Sequence, residues 1–332
     1  MKTNSAANGK LLYEAGQELL AMAAMTDSGD HNTFSTASAS LWSNKGGYEP
    51  NIYPDGLETG GVVSPGAAVE KVSVAALTCY LAGVLTTVAA DAAVAVTRPA
   101  ASPAGLKKIS SITINSAGAI AVVAGTDGSA FSATRGAAGG PPLIPVGSIE
   151  IAQVKLTSAV SAVLESYEIF QVIGTHCERY DYPVWTEDPF NGTITFSQAL
   201  PASHVGSPAT YKGVYGEVYE PIFVEQDPAS DFTPPENSHS VSSTQTYSGT
   251  IGSTSSSLGQ GSFKAFLKDG VTDPLVKLVD EILFYKFYPN RNKAAHVLCQ
   301  GKLGISRTFP AGDNIQADCT ISASEKGKDK AS

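Results

Sequence analysis

The side chains that could do chemistry are few and scattered. Five histidines, His31, His176, His204, His239 and His296, stand apart along the chain. His176 precedes Cys177, a pairing of types used in nucleophilic catalysis. Neighbours on a strand point to opposite faces, however, so a partly buried structural histidine is expected. Asp27-Ser28-Gly29-Asp30-His31 has the residue types of a cation loop but lacks the glycine at position six and the glutamate at position twelve. It reads as a solvated turn. Glu187-Asp188 offers carboxylates of the glycosidase kind without a second partner at a known separation. Gly259, Gly261 and Lys264 do not have the phosphate-loop spacing, and HExxH, Gly-x-Ser-x-Gly and Ser-x-x-Lys do not occur. Cys79, Cys177, Cys299 and Cys319 form neither a CxxC pair nor a zinc spacing. Buried free thiols are expected, although Cys299 and Cys319 could face each other on neighbouring strands. No enzymatic activity, cofactor or metal is expected.

The elements that would carry any site are short strands and turns. Over 332 residues, 42% hydrophobic composition allows a substantial core, and 32 glycines and 19 prolines favour turns over helical bundles. Charged residues are 16% of the chain, against roughly 25% in ordinary soluble domains, which fits surface hidden in an assembly. The net charge of −9 argues against nucleic-acid binding by charge neutralisation. No apolar run reaches the ~18 residues of a membrane span. Glu14, Gln17 and Glu18 interrupt the region where a signal peptide would be apolar. Together with the free thiols, this predicts assembly in a reducing cytoplasm.

Three regions follow in order. Residues 1–60 hold an expected amphipathic helix, Leu11 to about Met25, and an arm with turn signals. Residues 61–165 are rich in Ala, Gly and Val and read as a small β module. Its strands are marked by Val72 and Val74, Ile112 and Ile114, and Ile120 and Val122, with breaks at 115–118 and 125–128 and a loop over 136–142. Residues 166–332 are richer in aromatics. Asn191-Gly192 marks a hairpin turn, residues 228–240 read as a loop, and residues 248–261 as a flexible Ser/Gly connection. A helix is expected over 273–284: Asp273 suits the N-cap, Pro274 suits N1, and Leu275, Leu278, Val279, Ile282 and Leu283 fall on one stripe. The fold class expected is mainly β, a sandwich or barrel covered by that helix, with the 61–165 module added.

Charge is unevenly distributed. Residues 178–236 carry ten acids and two bases, net −8, whereas residues 1–177 and 237–332 carry −4 and +3. A long hairpin over 211–225, acids on one face and aromatics on the other, would present this charge. Such a surface repels a polyanion or attracts a cationic partner.

The last hundred residues resemble the major tail proteins, or tail-tube subunits, of long-tailed bacteriophages with non-contractile tails. The resemblance rests on Gly261-Ser262-Phe263-Lys264-Ala265-Phe266, Asp273-Pro274-Leu275-Val276-Lys277-Leu278, and Phe284-Tyr285-Lys286-Phe287-Tyr288-Pro289. Gly301-Lys302-Leu303-Gly304-Ile305-Ser306 and Ala311-Gly312-Asp313-Asn314-Ile315 continue it, and Ile149 to Val154 and Tyr182-Pro183-Val184-Trp185 are similar to earlier segments of that family. The resemblance implies a virion protein that self-assembles into stacked, hexameric rings, a conduit through which genomic DNA passes without specific binding. It further implies tape-measure, terminator and distal tail proteins as partners, no membrane, and residues 166–332 as the tube domain; the 61–165 module departs from the family pattern and is either an exterior decoration or part of an enlarged tube wall. Glu187, Asp188, Glu217, Glu220, Glu225 and Asp227 are then the candidate lumen acids. The other reading is a carbohydrate- or receptor-binding β-sandwich of a phage tip or cell surface, its 180–223 aromatics stacking on sugars.

Overall fold

A computed structural model describes residues 8–180, 184–200, 203–205 and 212–331; Asp181, Tyr182, Pro183 and Tyr211, which figured in the sequence reading, lie outside them. The chain is mainly β and divides into two compact units. One comprises residues 1–20, 41–49 and 218–332, the other residues 21–40 and 50–217. The secondary structure is several sheets instead of a single sandwich or barrel.

In the first unit, alternation builds the core. Along Gly261–Leu267, Phe263, Ala265 and Leu267 turn inward, and along Ile315–Ser322, Ala317, Cys319 and Ile321 do the same. The two strands pair antiparallel with Phe263 opposite Cys319 and Ala265 opposite Ala317. The sheet continues through His296–Thr308 and Ile282–Tyr288 to the first strand, where Leu11 and Tyr13 pair with Phe287 and Tyr285. Ala229–Thr233 closes the other end. Phe263, Leu283, Tyr285 and Leu303 are almost wholly buried; Phe263, Leu283 and Leu303 each contribute roughly 1.5–3 kcal/mol, whereas the Tyr285 hydroxyl has no hydrogen-bond partner among the described residues.

Two expected helices are strands or turns instead. The N-terminal segment forms one strand, Lys10–Asp27. Its Ala, Leu, Glu and Met residues favour a helix intrinsically, but propensity is a weak prior beside tertiary pairing. After Tyr13 the Glu14 carboxylate replaces a backbone acceptor. It is fully buried and accepts Phe284 N–H (3.0 Å), the Ser43 hydroxyl (2.5 Å) and Gln17 Nε2 (2.7 Å).

The expected covering helix over 273–284 is a single 3-10 turn, Val276–Leu278. Asp273 does not cap it; its carboxylate accepts the N–H groups of Lys268, Asp269 and Gly270 at 3.1, 3.1 and 2.8 Å, tying the preceding loop. Val279 leaves helical geometry, Asp280 takes φ 70°, and Asp280 N–H and Glu281 C=O pair with Leu303. From Ile282 the chain is strand. The apolar stripe therefore splits: Leu275 and Leu283 are buried, Leu278 packs beside them, and Val279 and Ile282 are 37% and 42% exposed.

The Ser/Gly stretch, expected to be a loop and a flexible connection, is ordered as well. After Ala229–Thr233 it forms a hairpin of Asn237–Thr246 and Gly249–Leu258, paired over ten rungs without a register shift.

In the second unit, Lys108–Ile114 pairs with Ile120–Ala124 and Ile149–Leu156, and two three-stranded sheets stand beside it. Val72, Val74, Ile112, Ile114, Ile149 and Ile151 share one core. The Asn191-Gly192 signal lies in a hairpin, Trp185–Asp188 with Thr193–Phe196. The turn spans residues 189–192, four residues where the Asn-Gly signal implied two.

Asp55 is a charged group placed at a cost. It is fully buried in the second unit; Oδ1 accepts Ala82 N–H at 2.8 Å, and Oδ2 has no hydrogen-bond partner among the described residues. Burial lifts its pKa to about 6, against the lowering influence of Ala82 N–H and Lys212. A raised carboxylate favours the fold while it is neutral, so the second unit loses stability as pH rises from about 4 through 6. A shift of about two units corresponds to ~3 kcal/mol. Asp55→Asn keeps the acceptor for Ala82, and it should flatten urea-unfolding stability between pH 4 and 7. At pH 7.5 it should gain about 1–2 kcal/mol, the remainder being spent on the new N–H groups.

Candidate assembly surface

The six candidate lumen acids are divided between the two units: Glu187, Asp188 and Glu217 belong to the second, and Glu220, Glu225 and Asp227 to the first. Glu187 and Asp188 lie on Trp185–Asp188 in the second unit. The acidic strand Val214–Glu225 pairs with Asn51–Pro54 and with the first strand, so it is not half of a hairpin over 211–225. Alternation puts Glu217 and Glu225 on the side of Tyr215, Tyr219 and Phe223, and Glu220 on the other. Acids and aromatics therefore share a side. Glu217 accepts Asn51 Nδ2 at 2.9 Å. Glu225 is held by Arg291 at 3.2 Å and Lys10 at 4.0 Å. Glu220 and Asp227 are exposed, and among the described residues neither makes an ion pair.

The first unit instead presents two features that sequence reasoning missed. The first is the hairpin. Every residue of 237–258 except Thr246 and Leu258 is exposed, on both faces and along both strands. It contains no Asp, Glu, Lys or Arg. One side is a ladder of serines, Ser238–Ser257, Ser240–Ser255 and Ser242–Ser253, joined by hydroxyl hydrogen bonds of 2.9, 2.6 and 2.7 Å. At its tip Tyr247 is 114% exposed, with Ser248 and Gly249 beside it. A two-stranded hairpin is marginal in water, and natural exposed edges are normally guarded by charge or proline. This one has neither.

The second feature is a cleft of about 320 Å³ at the edge strand Ala229–Thr233. Ser230 faces Lys264 and Thr233 faces Ser262, so Asp231 and Phe232 together oppose Phe263. A bulge of this kind re-aims its side chains. Asp231 takes φ 54°, and the Phe232 ring stacks on Phe287, centroids 4.6 Å apart and planes 20° from parallel. Lys10, Glu225, Asp227 and Arg291 rim the pair. A local alternation pattern cannot reveal this cleft, because Phe287 meets Phe232 only through the sheet order.

The polar cluster of the second unit is engaged internally. Arg135 forks onto the fully buried Glu150, which also accepts from Ser111 and Gln153. Burial raises the Glu150 pKa and the Arg135 charge opposes it. Glu178 accepts Glu150 N–H at 3.0 Å and the Ser203 hydroxyl at 2.7 Å. His204 Nε2 donates to the Ser148 carbonyl at 2.8 Å, and its Nδ1 lies 3.2 Å from the Ser203 hydroxyl oxygen.

Burial pushes the Cys177 thiol up to about 11, far from the thiolate that nucleophilic attack needs. His176 is partly buried with its ring edge-on to Phe170 at 5.9 Å, and burial lowers its pKa. Cys299 and Cys319 are buried and free; Cys299 faces Tyr285 and Cys319 faces Phe263 and Ile305. In the Asp27–His31 segment the Asp30 carboxylate accepts Asn32 and Thr33 N–H groups, and Asp27 accepts those of Gly29 and His31, as in a solvated turn.

Among the described residues no helix is long and apolar enough to cross a membrane. No protein-family model, curated protein or solved structure matches the chain.

Proposed function

We propose that this chain is a structural subunit that assembles with copies of itself into the tail tube of a long-tailed phage, as stacked rings around a DNA conduit. The observation that carries the reading is the exposed, uncharged hairpin of residues 237–258, a two-stranded arm of the kind that is marginal by itself in water and that a neighbouring copy would stabilise. The low charge fraction of the sequence and its resemblance to tail-tube subunits support the same reading. Strand edges closed against neighbours remove the hazard that each open edge poses to a single copy.

An anionic bore would let DNA slide, because adhesion grows with each cation that meets a phosphate. Glu187 and Glu220 remain the acids best placed to test this without breaking the ion pairs of Glu225. Negative-stain microscopy of concentrated protein should reveal rings or tubes. Tubes carrying Glu187→Lys and Glu220→Lys should retain duplex DNA in a salt-dependent way while wild-type tubes do not. Equal retention by both would remove these acids from the lumen, and discrete particles at every concentration would defeat the tube reading.

A stacked tyrosine cluster favours the sugar-binding alternative. Tyr53 lies 4.3 Å from Tyr80 at 9°, and Tyr180 lies 4.5 Å from Tyr80. Such flat faces suit sugar rings. Glycan binding lost in Tyr80→Ala, with no rings or tubes in the microscope, would favour it.

A further inference from the structure

We infer that Tyr247 of one copy seats in the Phe232–Phe287 cleft of another, a head-to-tail joint that rests on the self-assembly reading and specifies its contact. The tip and the cleft are complementary in chemistry. Tyr247 is the most exposed aromatic among the described residues, and its neighbours Ser248 and Gly249 are small enough to follow it into a recess. The cleft offers a stacked pair of phenyl rings whose centroids are 4.6 Å apart. Beside them stands Asp227, which makes no ion pair among the described residues and can accept a phenol hydroxyl, whereas Glu225 is already held by Lys10 and Arg291. An aromatic anchor in a pocket with one hydrogen bond at its polar end is a recurrent form of binding hot spot.

The occupant must come from a second copy. The cleft belongs to the strand immediately preceding the hairpin, near the hairpin's base. Ten residues of strand put the tip about 30 Å from that base. Both strands are exposed along their length, so the arm does not fold back over its own sheet. Tyr247 stands free of its own chain.

Knob and cleft are different patches of one subunit, so the contact is heterologous. Run head to tail it propagates to rings or open stacks; a reciprocal exchange of arms would instead close it at a two-fold dimer, which cross-linking that stops at dimers would reveal.

The test places thiols beside each patch and leaves both aromatic partners in place. The four native cysteines are buried, so Ser230→Cys with Ser248→Cys supplies the reactive pair. Oxidation with diamide should give a ladder of multimers on non-reducing gels from the double variant, and at most dimers from either single variant. Adding Tyr247→Ser should abolish the ladder. Tyr247→Ser alone should raise the concentration needed for assembly about thirtyfold, the scale of a hot-spot truncation, and Tyr247→Phe should fall between. Because the side chain touches nothing in the single copy, circular dichroism of these variants should match the wild type.

If the wild type forms tubes but the ladder is missing, or Tyr247→Ser assembles as readily as the wild type, this joint is wrong and the tube reading survives. A ladder without tubes would leave the joint standing and overturn the tube. Neither ladder nor assembly would overturn both.

Discussion

A chain lacking Asn237–Leu258 should fold normally and fail to assemble. The excision is geometrically simple, because Gly259 N–H already donates to Glu236 C=O at 2.9 Å across the hairpin base. An Asn-Gly turn joining these two residues preserves that rung. Nearly every residue removed is exposed, so the core of Phe263, Leu283, Tyr285 and Cys319 loses no packing. The melting temperature should therefore stay close to that of the intact chain. Sedimentation velocity should find the shortened chain monomeric at concentrations more than a hundredfold above those at which the intact chain assembles, since a deletion removes every contact of the arm at once. Tubes built from the shortened chain would show that the arm is dispensable.

The largest loss of stability should come from Arg135→Met. The guanidinium is the cation that faces Glu150, a carboxylate with no exposed surface. Removing one member of a buried pair typically costs about 3–5 kcal/mol, because the other charge remains desolvated. Glu150 would then have Ser111 and Gln153 to accept from, but no countercharge in the bond. Its pKa is already raised by burial and held down by Arg135, so the variant raises it further. A raised carboxylate stabilises the fold below its unfolded pKa and loses that contribution as pH climbs through the folded value. The defect in urea unfolding should thus be small at pH 4 and largest near pH 8. Combining Arg135→Met with Glu150→Gln should recover much of the loss at pH 8. An equal defect at both pH values would mean that lost packing, not the orphaned charge, is responsible.

Where local pattern and tertiary pairing agree, the fold is legible in the sequence. Val72, Val74, Ile112, Ile114, Ile120 and Val122 all sit on strands, and the breaks at 115–118 and 125–128 separate strands as expected. There, β-branched residues alternate and the turns carry Asn, Asp and Gly. Lys10–Asp27 was illegible because its residues prefer a helix and the partner of its beginning, Tyr285–Tyr288, lies far along the chain, while the local partner, Phe34–Thr36, pairs only with Met25 to Asp27. The 273–284 segment misled through good capping types, Asp273 and Pro274, whose carboxylate and backbone serve the preceding loop and a single turn. Serine and glycine depress both helix and strand propensity, so the hairpin of residues 237–258 read as flexible; its order comes from rung-by-rung pairing that composition does not encode. The acidic segment was visible as a count of charges, but the sidedness of Glu217, Glu220 and Glu225 followed from where their strand pairs. The cleft had no local signal.

The serine ladder also bears on how stiff such an assembly would be. Ser238, Ser240 and Ser242 repeat every second residue opposite Ser257, Ser255 and Ser253, so sliding a neighbouring strand by two positions exchanges one hydroxyl for another. Alignment along a surface of identical rungs is weakly enforced. In a cylinder jointed through such arms the Tyr247 seat alone would fix the offset between neighbours, so freeing it should let the joints slide by two residues and the cylinder flex more easily.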